Sequence, residues 1–239
     1  MLTHTLGVLG AALSMSLSWP QVIKSCVRRR TRGLSPTACT LGVAMPLGWI
    51  TYGLLGGERI QVVTNVVTGA AGLAILTALL ITQPSMRSIR ALRLSAASAA
   101  VVLTAVTLSG AAAALPGVRG EQVAPPLGLI LAGVSFLSAI PQPLSLLRDR
   151  TQDLSGLSPL RWRLGAGACS SWLLYGLSTG QPPVWASASV GLTSALIVCT
   201  VLHLRRDPRE NAAAEVLRSR AAIHWRDSIT TRTLAMAGV

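Results

Sequence analysis

One pattern is written twice in this chain. Pro20-Gln21 is followed by Gly33-Leu34-Ser35-Pro36, Trp49, Tyr52-Gly53-Leu54 and Gly57; Pro141-Gln142 is followed by Gly156-Leu157-Ser158-Pro159, Trp172, Tyr175-Gly176-Leu177 and Gly180. The second copy holds two extra residues between its first two motifs, and the register is kept from there onward. A repeat of this length in apolar sequence restricts the chain to two similar helical bundles around a shared axis in a membrane.

Composition agrees. Hydrophobic residues make up 51% of the chain and charged residues 12%, and the mean hydropathy is +0.55, too apolar for an ordinary soluble domain. A span needs roughly 20 mostly apolar residues. Seven stretches qualify, at 4–24, 37–56, 60–82, 94–116, 125–147, 160–178 and 183–203. The sixth is the most dilute, with Arg161 and Arg163 at its start, and is accepted because its repeat partner, the second, is clearer.

The basic residues set the orientation. Of the 21 Lys and Arg, all but Arg59 and Arg119 fall in alternate connections or in the tail, and the positive-inside rule makes that side cytoplasmic. The expected topology has the N-terminus outside and the C-terminus in the cytoplasm of a cell membrane, which requires an odd number of spans. The net charge of +13 is dispersed over short loops at a membrane face, so anionic lipid is the expected partner and nucleic acid is not. The first segment lacks a basic region before its apolar run and reads as a retained span. Cys26, Cys39, Cys169 and Cys199 have no CxxC spacing, and neither a disulfide framework nor a metal site is expected.

The spans divide the chain into a first triple-helix bundle (1–82), a linker (83–124) with an inversion helix at 94–116, a second bundle (125–203) and a cytoplasmic tail (204–239). Two three-helix units in tandem would point in opposite directions; the extra helix restores a common one. The fold class is thus an all-α membrane protein of seven helices in a 3+1+3 arrangement with parallel bundles.

Proline inside a helix removes a donor and displaces the carbonyl four residues earlier, so Pro20 and Pro141 are expected to hinge the cytoplasmic ends of their spans. Gln21 and Gln142 bring amides for the freed backbone groups or for a facing helix. Trp49 stands as far before Gly57 as Asn65 stands after it, and a tight turn at Gly56-Gly57 would put both about 12 Å from the turn, near mid-bilayer. The second copy places Trp172 and Ala188 equivalently. Two indoles at that depth offer flat apolar walls, each with an N–H donor, and an amide there needs a partner or a wet cavity. The eight acids fall in loops or the tail, so no carboxylate relay for proton coupling is evident, and no nucleophile has a base or metal ligand at its depth. No enzyme activity and no cofactor are expected.

Three spans, an inversion helix and three more spans, each unit with Pro-Gln and a Trp-x-x-Tyr-Gly signature, resembles the SWEET sugar transporters and, unit by unit, the SemiSWEETs of the PQ-loop family. The likeness covers about 4–203. It implies that Pro20, Pro36, Pro141 and Pro159 form a proline tetrad that bends during alternating access, and that Trp49 with Asn65, and Trp172 with position 188, form a central sugar pocket. The chain departs from that pattern at Ala188, flanked by Ser187 and Ser189, where the family has a second asparagine, and a further asymmetry between the repeats is Pro46, whose partner is Cys169.

The expected function is uniport of a small neutral polar solute, a mono- or disaccharide, by a chain able to form homo-oligomers. The alternatives are a proton-coupled amino-acid transporter of the PQ-loop type and a non-transporting PQ-loop receptor or assembly factor.

Overall fold

A computed structural model describes residues 2–31, 34, 36–83, 88–148 and 159–204. Gly33, Ser35, Gly156, Leu157, Ser158 and the tail from 205 lie outside them, as do the side chains of Pro36, Pro141 and Gln142. One compact unit covers Met1–Cys199 and a second Thr200–Val239.

Every regular element among the described residues is a helix: α1 (Leu2–Val22) continued by a π turn (Ile23–Val27), α2 (Pro36–Gly56), α3 (Arg59–Thr82), α4 (Ile89–Ala113), α5 (Gly120–Ala139), α6 (Pro141–Arg148), α7 (Pro159–Ser178) and α8 (Pro182–Leu204). Four of these helices begin on proline, whose fixed φ suits the first helical position and whose missing N–H costs nothing there. Five are long and apolar enough to cross a membrane: α1 with its π turn, α2 from Thr37, α3, α5 and α8. Ala99–Ala113 of α4 is a shorter apolar helix. The chain is a multi-pass membrane protein. Its outer surface carries Leu54, Val63, Leu73, Leu108, Leu129, Leu137 and Leu174, each more than half exposed, a distribution suited to lipid tails.

Small residues let the helices approach. The α3 helix packs against both α1 and α2, and α2 also packs on α4 and α5. Ala44, Ala99, Val102, Ala105, Ala124, Leu127 and Leu131 form the core between α2, α4 and α5. Gly7 and Gly10 bring α1 against the rings of Tyr175 and Trp172: a Cβ on Gly7 would stand 2.9 Å from Tyr175 Cε2, and one on Gly10 3.1 Å from Trp172 Cε2.

Three expectations need correction. Pro141 does not lie inside a continuous span; the chain breaks at Ile140 and Pro141 opens α6. Neither Pro141 nor Pro143 can donate a backbone bond, and the Ala139 carbonyl, deprived of its donor at Pro143, accepts instead from Ser194 Oγ at 3.3 Å. Gln21 does not reach a facing helix or a freed carbonyl; its Nε2 donates to Ser25 Oγ at 2.8 Å in the π turn. Glu121, expected in a connection, lies in the first turn of α5.

Candidate functional site

The two hairpin turns are built alike. Glu58 N–H donates to the Gly53 carbonyl at 2.7 Å and Gln181 N–H to the Gly176 carbonyl at 2.8 Å. Gly57 and Gly180 take positive φ values of 74° and 64°, a conformation that costs a glycine little. The Tyr-Gly pairs of the repeat therefore close the α2–α3 and α7–α8 hairpins in the same way. One turn into the membrane, Trp49 stands edge-on to Tyr52 with ring centroids 5.4 Å apart, and Trp172 to Tyr175 at 5.5 Å.

Across the repeats these turns are latched. Tyr175 Oη donates to Glu58 Oε2 at 2.6 Å, Gln181 Nε2 donates to Glu58 Oε1 at 2.7 Å, and Tyr52 Oη donates to Gln181 Oε1 at 3.1 Å. Glu58 and Gln181 are repeat partners, as are Tyr52 and Tyr175, so the latch is a symmetric design with one carboxylate replaced by an amide. The Glu58 carboxylate thereby receives two hydrogen bonds, of the stronger, charge-assisted kind.

Beneath the latch lies a cavity of about 280 Å³. Trp49, Asn65, Trp172, Ser187 and Ala188 all line it. Trp172 Nε1 donates to Ser14 Oγ at 3.0 Å, whereas the Trp49 N–H has no partner among the described residues. Asn65 Nδ2 donates to the Gln61 carbonyl at 2.8 Å, and its amide oxygen has no partner among the described residues. No lining residue is charged.

Nine of the fourteen lining residues lie beyond those expected from the sequence. Gln61 lies four residues before Asn65, Thr68 three after it and Thr64 beside it, so the four form one stripe of α3, and a polar stripe in an apolar span is legible from the sequence. Its repeat partners on α8 are Val184, Ser187, Ala188 and Gly191, all of which also line the cavity. One wall is therefore polar and the facing one is small and largely apolar. Ser14 and Ser135 are likewise repeat partners, and Cys169 occupies the place of Pro46. Nothing in the sequence pointed to Glu58, whose loop position hid its bonds to the other repeat.

Of the four prolines that the resemblance groups together, Pro36 and Pro159 begin α2 and α7, Pro141 begins α6, and Pro20 alone lies inside its helix. Along α1, Gly7 beside Tyr175 marks the latch end and Pro20 the opposite, proline end.

Residues 2–60 match a family model described as the PQ loop repeat. Its fold is similar to that of a eukaryotic SWEET transporter solved at 3.7 Å resolution, with 14% sequence identity, a TM-score of 0.67 and coverage of 85% of this chain and 96% of that one. No curated protein matches the chain.

Proposed function

We propose that the protein is a uniporter for a small neutral polar solute, a single sugar ring, which it passes by alternating access across the cell membrane. The observation that carries this reading is the uncharged cavity between repeat-related walls, capped by a latch that ties one repeat to the other. Its volume of about 280 Å³ falls just below the range of roughly 300–1,000 Å³ usual for ligand pockets, which favours one ring over a disaccharide. The indole of Trp49 supplies a flat wall and an N–H, and the Gln61-Thr64-Asn65-Thr68 face supplies polar contacts. Against Ala188 and Gly191 a solute meets only small groups, so its hydroxyl-bearing edge faces α3.

In this reading seven spans are arranged 3+1+3, with bundles at 1–82 and 125–203, a linker at 83–124 and a tail at 204–239. Positive charge sets the proline end in the cytoplasm and the N-terminus outside. Bending at Pro20 and at the α5–α6 break, with Pro36 and Pro159 at the neighbouring helix starts, alternates with opening of the latch.

Uptake of labelled hexoses into proteoliposomes tests the assignment. Saturable uptake that is indifferent to a proton gradient is the expected result; uptake equal to that of empty vesicles across a panel of hexoses and pentoses would refute it. The latch is open to a separate measurement. A hydrogen bond to a charged group is worth about 1.5–3 kcal/mol, so Tyr175→Phe is expected to raise labelling of a Thr64→Cys reporter by a membrane-impermeant thiol reagent about tenfold from the latch side, in a background with Cys26, Cys39, Cys169 and Cys199 replaced by Ser. Unchanged labelling would show that these bonds do not hold the end closed.

A further inference from the structure

The end of α1 departs from regular helix in a way the cavity does not require. After Pro20 the chain widens into the π turn, with Arg28 N–H bonded to the Ile23 carbonyl at 3.1 Å and Arg30 N–H to the Lys24 carbonyl at 3.0 Å. Single π turns inside helices are frequent at functional sites. Arg29 then takes φ of 51°, a left-handed conformation that is uncommon for a residue with a side chain. With the backbone turned there, Arg28 and Arg30 line the same hollow while Arg29 does not.

One face of this segment is docked and the other is not. Ser25 is fully buried, Cys26 Sγ approaches the Ala74 carbonyl of α3 at 3.5 Å, and the chain beyond the turn is tied to the end of α3 through Thr31 Oγ1 and Thr82 Oγ1 at 2.6 Å and through Gln83 Nε2 donating to the Thr31 carbonyl at 2.7 Å. The opposite face carries a hollow of about 620 Å³ lined by Lys24, Arg28 and Arg30 together with Trp19, Pro20 and Ile23. Trp19 is 58% exposed and Ile23 46%. None of the three cations has an ion-pair partner among the described residues. The described acids are elsewhere, Glu58 in the latch at the other end of α1 and Glu121 at the start of α5.

We infer that this face is a binding site for the headgroup of an anionic phospholipid. The phosphodiester sits among Lys24, Arg28 and Arg30, whose positions are held by the ties to α3, and the glycerol and upper acyl chain lie along Trp19 and Ile23. The pairing of exposed apolar side chains with three cations at a helix end is what separates a lipid from a free phosphate, which has no use for the indole. Basic residues near a membrane surface each add to the attraction for anionic lipid, and tryptophan is favoured at that depth. The site does not depend on the transport reading, since it lies outside the solute cavity.

The full-length protein in detergent is titrated with phosphatidylglycerol, with phosphatidylcholine of the same chains, and with inorganic phosphate, and bound lipid is read by native mass spectrometry. The expected result is preferential binding of phosphatidylglycerol that falls by at least about tenfold in the combined Lys24→Gln, Arg28→Gln, Arg30→Gln variant and is unchanged in a variant with the same charge loss at Arg59, Arg93 and Arg119. Trp19→Ala is expected to weaken phosphatidylglycerol binding and leave any phosphate binding as it was. Equal losses in the two triple variants, no preference over phosphatidylcholine, or displacement of the lipid by inorganic phosphate at the same concentration would overturn the assignment.

Discussion

Replacing Trp49 with Ala is expected to reduce solute transport by roughly thirtyfold while leaving the protein folded. The indole forms one wall of the cavity, and losing about 80 Å² of apolar contact at about 25 cal/mol per Å² removes about 2 kcal/mol of binding. At tenfold for each 1.4 kcal/mol, that is a loss of roughly thirtyfold. The ring also holds Tyr52 edge-on, so the variant loosens the Tyr52 bond to Gln181 as well. Trp49→Phe separates the two contributions: it keeps the wall and the aromatic edge but lacks the N–H, and is expected to retain most of the transport. Trp172→Ala should behave differently, because its N–H is already engaged by Ser14 and its loss frees a hydroxyl on α1 in addition to removing the wall. Concentration-dependent uptake by each variant, normalised to protein inserted, decides the matter; full activity in Trp49→Ala would exclude this cavity from the transport path.

Gly72→Ala is expected to cost about 3 kcal/mol of stability, and Gly42→Ala close to nothing. The two residues face each other between α3 and α2, yet the contact is one-sided. A methyl group on Gly72 would run into the Gly42 carbonyl oxygen, a backbone atom that cannot rotate away, whereas a methyl group on Gly42 meets nothing within 4 Å. Neighbouring Gly69 is less demanding, since the atom it would meet is Pro46 Cβ at 3.1 Å. In membranes, where lipid is as apolar as the helix surface, such close backbone approach is a principal source of helix association. Thermal unfolding of purified Gly72→Ala and Gly42→Ala provides the comparison; similar midpoints would mean that α2 and α3 do not meet here.

The two walls of the cavity show how much could be read in advance. Trp49 and Asn65 were placed at one depth by counting from Gly57, and that arithmetic works because a helical hairpin with a tight turn puts residues equidistant from the turn side by side. The same count from Gly180 placed Trp172 and Ala188. The stripe of Gln61, Thr64 and Thr68 was available from helical periodicity around Asn65. Ser14 was not, because a lone serine in an apolar span has many uses, and only the packing of α1 on α7 shows that it meets the Trp172 indole.

Apolar runs, the duplicated motifs and the placement of arginine were sufficient to define a helical membrane chain with two related halves, because hydropathy and repetition are properties of the linear order. Which side chain of one half meets which of the other was decided only by tertiary structure. Glu58 and Gln181 look like unrelated loop residues until the two hairpin turns are brought together, and at the break at Ile140 the stranded Ala139 carbonyl accepts from Ser194 of another helix. Contacts between distant segments follow from the angles and distances at which helices pack, and small residues such as Gly72 set those distances without announcing their partners.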